Sequence, residues 1–202
     1  MTDTEKHKRY RDRANRNWRA LRKEYDKFGY YDDSGGKRYL AGIYYVLARE
    51  MEKAASYFDW YAEAFADDAG EPVFLLCWAL STHHSASEEE ARRRFHVAML
   101  SNLYLMPSLL GEPIEPLDIC HSTNRVRAEY LSEVDDWLRD LPRADLPWLK
   151  SEYEMAGAEA LRGEYVRTYH RLKHEEEREA RREILQKWYA YAEDNLGKTG
   201  LD

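Results

Sequence analysis

The chain has 202 residues, 44% hydrophobic and 34% charged, enough to bury one sizeable core and too few for two large domains. Formal net charge is −7, no stretch approaches the roughly 18 consecutive apolar residues of a membrane span, and the opening residues lack the apolar run of a secretory signal, so the expectation is a soluble, cytoplasmic protein. Its cysteines, Cys77 and Cys120, have no CxxC spacing, which argues against a disulfide framework or a zinc ribbon.

Charge is uneven along the chain. Residues 1–28 carry ten bases and five acids, a balance of +5, which leaves −12 for the remainder. The same segment places Tyr10, Ala14, Trp18, Leu21, Tyr25 and Phe28 at steps of three and four, the spacing of an amphipathic helix with an aromatic stripe. Thr2 and Glu5 stand at capping-box spacing at its start. Residues 29–36, rich in glycine and aspartate, read as a turn.

A first helical hairpin is expected over residues 37–66, with its bend near 49–53. Pro72 suits the first turn of the next helix, and Ser87 followed by Glu90 caps the one after it, so a second hairpin runs to about residue 104. Residues 105–125 lose periodicity around Pro107, Pro113 and Pro116 and read as a proline-rich loop. Helical patterning returns over 126–141 and again from Pro147, with a bend expected at Gly163 and one long charged helix over 164–196. The fold class expected is all-α, one helical domain over 1–202 divided as 1–28, 37–104, 105–125 and 126–196.

The two hairpins are written in one hand. Gly42, Tyr45, Ala54, Phe58 and Tyr61 recur 37 residues later as Ala79, Thr82, Ala91, Phe95 and Ala98. Small residues let the paired helices approach, and the aromatic fills the gap to the neighbouring hairpin. This pattern resembles the tetratricopeptide repeat over residues 38–103, although Tyr61 stands where that family prefers a small residue, Thr82 replaces an aromatic, and the period is 37 rather than about 34. A third copy in register would put its small residue at Pro116, so the array stops there.

The resemblance implies antiparallel hairpins in a short array whose first helices line a groove for a peptide or helix. By position the groove residues would be Tyr39, Ile43, Val46, Leu47, Val73, Leu76, Leu80, His83 and His84. Most are apolar, which favours a helical segment of a partner protein as guest and makes the chain an interaction adaptor. The competing expectation is that this chain's own segments cover those residues. A second reading gives the basic arm, with Lys6, Arg9, Arg13, Arg16 and Lys23 as nucleic-acid contacts and Tyr10 and Trp18 as stacking platforms. Trp188, Tyr189 and Tyr191 would anchor a partner or a second copy if the last helix projects.

Catalytic chemistry finds little footing. Ser101, Ser108 and Ser122 lack a nucleophile-elbow pattern, and Gly35-Gly36-Lys37 is too short for a phosphate loop. His170 and His174 are four apart with Glu177 a turn beyond, a spacing that seats a divalent ion, but no HExxH or ExxH motif accompanies them and a solvated helix face is the reading adopted. Cys77, His83, His84, Cys120 and His121 match no finger spacing. The expectation is a non-enzyme with no catalytic residues, no metal and no cofactor, the alternative being an enzyme whose site assembles from residues distant in sequence.

Overall fold

The computed structural model describes residues 2–31, 35–120 and 128–196. Ten α-helices and a 3-10 turn make up its regular structure, and no strand occurs among the described residues. None of these helices is long and apolar enough to cross a membrane.

Helix α1 (Asp3–Phe28) starts on the expected capping box. Glu5 N–H donates to Thr2 Oγ1 at 3.3 Å while Thr2 N–H donates to Glu5 Oε2 at 2.8 Å. It stops at Gly29, whose φ of 73° closes the helix in the left-handed conformation that lacks a penalty only for glycine. As far as Leu21 its apolar stripe lies on helix α2 (Lys37–Leu47) and its neighbour: Ala14 and Leu21 are fully buried, Tyr10 stacks on Tyr44, and Trp18 stands edge-on to Tyr45 and Tyr57, whereas Tyr25 and Phe28, expected to continue the stripe, are exposed.

Helix α2 folds back as α3 (Met51–Ala64), and α4 (Pro72–Ser85) folds back as α5 (Glu88–Ser101). Both ends of α5 fall 37 residues after those of α3, so the sequence repeat is a structural one. Pro72 opens α4, where Glu71 Oε2 accepts Phe74 N–H at 2.9 Å, and Ser87 Oγ accepts Glu90 N–H at 3.2 Å to open α5. The first bend puts Arg49 at a φ of 63°, a left-handed conformation unusual for a residue with a Cβ. Its guanidinium bonds Asp140 O at 3.0 Å and Val46 O at 3.3 Å, contacts that hold the strained turn in place.

Gly42 states why the first copy needs its smallest residue. A Cβ there would lie 2.8 Å from Phe74 Cε2 and 3.0 Å from two Phe58 ring carbons. The space a side chain would take is filled by rings: Phe58 packs on Phe74 at 5.1 Å and stacks on Trp78 at 5.4 Å, 8° from parallel.

Beyond α5 the array loses its repeat. Residues 105–125 are not loop throughout, since Leu105–Leu110 form a short helix α6, closed by Gly111 at φ 74°. Leu105 and Met106 are buried and drive that turn into the core, a tertiary gain that the proline-spaced pattern conceals. Helix α7 (Tyr130–Asp140) is shorter at its start than the 126–141 expected, and residues 121–127 lie outside the described ones. A 3-10 turn (Arg143–Asp145) leads into α8 (Leu146–Glu154).

The end of the chain corrects two expectations. Helix α9 (Ala156–His174) runs through Gly163 without a bend, because an exposed glycine inside a helix costs about 1 kcal/mol and the flanking Leu161 and Tyr165 are buried. Helix α10 (Arg178–Leu196) is separate from it rather than its continuation. The run Glu175, Glu176, Glu177 breaks the helix: Glu177 turns to accept Ala180 N–H at 2.5 Å and caps α10, while Arg181 reaches back to Leu172 O and Glu175 O. Trp188 is therefore core, edge-on to Tyr165 at 5.2 Å, and does not project; Tyr189 is the exposed aromatic of that helix.

Replacing Gly42 by Ala tests the repeat packing. Glycine-to-alanine in a helix normally stabilises by up to about 1 kcal/mol, but here the methyl meets two packed rings, and the expected net is a loss of about 1–2 kcal/mol in urea unfolding.

Candidate functional site

Six of the nine groove residues have no surface to offer. Ile43, Val46, Leu47, Val73, Leu76 and Leu80 are each 0% exposed and belong to one core cluster that also takes in Ala14 of α1 and Val134 and Leu138 of α7. An open apolar groove along α2 and α4 is thus corrected to a filled one. The filler is the chain's own C-terminal half. Tyr130 hydroxyl accepts Val73 N–H at 3.1 Å, Trp137 stands edge-on to Tyr44, and Asp140 O takes the Arg49 guanidinium, so α7 touches both first helices of the two hairpins. The physical reason is ordinary: a broad apolar face is unfavourable in water, and an amphipathic segment of the same chain covers it at high effective concentration.

The other three groove residues sit at the margin. Tyr39 donates to Asp68 Oδ1 at 2.8 Å and packs on Phe74. His83 stacks on Trp148 at 4.2 Å, and His84 Nε2 lies 3.0 Å from Asp145 Oδ1, a carboxylate that is itself buried. Each is engaged by this chain.

The basic arm divides into a used and an unused side. Lys6 pairs with Asp140, whose second oxygen accepts from Tyr10 Oη at 2.5 Å, and Arg13 lies over the Tyr44 ring. Tyr10 and Trp18, expected as stacking platforms, are packed against α2 and α3 and present no face for a base. Arg9, Arg16 and Lys23 point away from the core and are exposed.

Among the open concavities of the surface, one is lined by aromatic rings at the C-terminal end of the first hairpin. It measures about 340 Å³ and is framed by the C-terminal part of α3, by α4 and by α5, with Leu196 of α10 at its edge. Tyr61, Phe65 and Trp78 form the floor and Val97 one wall. Arg94 lies 3.8 Å from the Trp78 ring centroid and donates to Glu90 at 2.9 Å; burial pulls its guanidinium below the ordinary arginine pKa, offset by Glu90. Arg93 stands at the mouth with its side chain 45% exposed, also within reach of Glu89 and Glu90. Burial, with the Asp68 carboxylate beside it, pushes the Tyr61 phenol up, so it stays a neutral hydroxyl. Sequence reasoning passed over this site because its residues are split between the repeat's core positions and the outer faces of both second helices.

Of the nucleophile candidates, Ser122, like His121, lies outside the described residues. Cys77 is fully buried, and burial pushes its thiol up, away from the reactive thiolate. Ser101 donates its hydroxyl to Ala98 O at 2.7 Å, a local bond within the helix. The histidine pair of α9 gains a partner not foreseen: Asp118, 56 residues before His174, while Glu177 is turned toward α10.

Comparison with protein-family profiles, with curated proteins and with solved structures returns no match.

His96 on α5 gives the structure a definite acid response. Its Nε2 is buried with no hydrogen-bond partner, and burial lowers its pKa below the ordinary 6.5, outweighing the nearby Glu152, while Arg92 and Arg162 act in the same direction as burial. The unfolded chain takes up this proton first, so the associated stability is present above the ordinary histidine pKa and is lost as pH falls below it. From about pH 7.5 to about pH 5.5, urea unfolding of the wild type should lose more stability than that of His96→Gln, which carries no such proton.

Proposed function

We propose that the chain is a helical-repeat interaction protein that takes a short segment of a partner protein in the cavity between α3 and α5. The observation that carries this reading is the pairing of an aromatic floor with two guanidiniums at the rim. Tyr61, Phe65 and Trp78 suit an inserted apolar or aromatic side chain, and Arg93 offers a charge-assisted bond to a neighbouring carboxylate. Asp68 and Glu90 balance Arg93 and Arg94 in the lining, so the site is neutral overall and Arg93, the more exposed of the two arginines, is the group left to meet a partner's carboxylate. A cavity of about 340 Å³ holds one or two side chains, so the guest is an anchor-bearing peptide rather than a whole helix.

Because the residues of the expected groove are buried, the guest is assigned to this cavity instead. A second reading rests on Arg9, Arg16 and Lys23, which lie a heptad apart along the solvent side of α1 and favour a polyanion. With Tyr10 and Trp18 taken up by packing, that binding would be backbone electrostatics alone, and the cavity is the stronger proposal.

Ala62 lies at the cavity's edge and is exposed, so Ala62→Trp fills the space from outside without disturbing the core. Peptides selected on the wild type from a random display library should share an apolar anchor beside an acidic residue. They should lose at least about tenfold in affinity for Ala62→Trp and for Arg93→Glu, both of equal helicity to the wild type. Peptides that bind all three proteins alike would remove the cavity from consideration. Charge reversal at Arg9, Arg16 and Lys23, in place of deleting α1 and its core residues, tests the polyanion: salt-dependent retention of a single-stranded oligonucleotide should vanish in the triple variant if that reading holds.

A further inference from the structure

Asp118, His170 and His174 converge at the surface where the loop after α6 meets α9. His174 Nε2 is 3.0 Å and His170 Nε2 is 3.3 Å from the same oxygen, Asp118 Oδ2, and the three ligand atoms all lie within 4.8 Å of one another. Two atoms bound to one tetrahedral ion at about 2.0–2.1 Å are separated by about 3.3 Å. Two of the three separations therefore already match an edge of that tetrahedron.

The positions are held from outside the cluster. Spacing of four on α9 puts both imidazoles on one face. The loop is pinned on either side of Asp118: Leu117 N–H donates to Tyr104 Oη at 3.1 Å, Ile119 is buried, and Cys120 N–H donates to Tyr169 O at 2.9 Å, one residue before His170. Lys173 takes the other carboxylate oxygen, Oδ1, which fixes the carboxylate plane and leaves Oδ2 facing the imidazoles.

We infer that Asp118, His170 and His174 form a binding site for a first-row transition-metal ion, Zn²⁺ above all, which ties the loop carrying Asp118 to α9. Two imidazole nitrogens and one carboxylate suit zinc and its neighbours in the Irving–Williams order, whereas Mg²⁺ and Ca²⁺ require oxygen-rich sets. All three side chains are more than half exposed, so the remaining coordination position faces solvent and takes water. The sequence motif was absent because the third ligand is supplied by a distant loop. This site is independent of the peptide cavity, which lies between other helices.

The test uses the full chain without a histidine tag. Titration with ZnCl₂ in a calorimeter should show one saturable equivalent and a rise in the thermal midpoint, and CoCl₂ should give visible d–d absorption at the same stoichiometry. His170→Ala, His174→Ala and Asp118→Asn should each weaken Zn²⁺ by at least about tenfold while leaving the circular dichroism unchanged, and MgCl₂ should have no effect. Absence of saturable Zn²⁺ binding, or binding that all three variants retain, overturns the site and leaves the cluster an ion pair. Binding elsewhere, for example at His83 and His84, would show as retention in those variants and is excluded by the same comparison.

Discussion

Trp18 standing edge-on to Tyr45 and Tyr57, with Ala14 and Leu21 sealed on either side, is the contact from which much of the remaining arrangement follows. A two-hairpin array is apolar on more than one side, since α2 and α4 are the middle layer and carry few polar residues. Something must cover each side, because exposed apolar patches beyond a few hundred Å² are unfavourable on a monomer. Helix α1 covers α2 from one direction and α7 covers α2 and α4 from another. Once α1 is committed to this packing, Tyr10 and Trp18 are taken up by it, Arg9, Arg16 and Lys23 are left facing outward, and Lys6 and Tyr10 are placed to clamp Asp140 at the end of α7. The two covers are thus joined to each other as well as to the array.

The repeat itself is a statement about distance between backbones. Gly42 lets the rings of Phe58 and Phe74 close over α2, and Ala79 at the same position of the second copy is likewise fully buried. Tyr61, which departs from the tetratricopeptide pattern by being large where a small residue is preferred, has a visible consequence. Its ring packs on the buried Phe74 at 4.6 Å and lies across from Trp78 at 5.5 Å, and Tyr61, Trp78 and Phe65 build the floor of the outer cavity. A small residue at 61 would leave that floor without its central ring.

Helix periodicity, caps and the 37-residue offset were legible in the sequence because each is a local or fixed-period signal: Thr2 with Glu5, Pro72, Ser87 with Glu90, and the recurring small and aromatic positions all appear where expected. What was not legible depends on long-range contact. Helix α6 is six residues long and earns its place by burying Leu105 and Met106, which no local pattern announces. The α9–α10 break rests on Arg181 reaching back across the turn. The groove residues were correctly identified as an apolar face, yet whether such a face is open depends on what else the chain brings to it. Asp118 joins His170 and His174 only through the fold.

The segments outside the repeat are where this chain acquires individual character. An uninterrupted array would place its third hairpin on the second one, and its apolar positions would be consumed in stacking. Pro107 is accommodated in the first turn of α6, but Pro113 and Pro116 prevent that continuation, since proline inside a helix removes a backbone donor and clashes with the preceding turn. The chain beyond α6 anchors through Leu117 on Tyr104 and Cys120 on Tyr169, and α7 covers the inner face. One interruption therefore does two things: it supplies the cover that closes the expected groove, and it carries a carboxylate to a helix whose paired imidazoles would otherwise have only solvent to face. The same helical scaffold that buries its inner face thereby keeps two outer features, a cavity and a histidine–aspartate cluster, in positions fixed by the core beneath them.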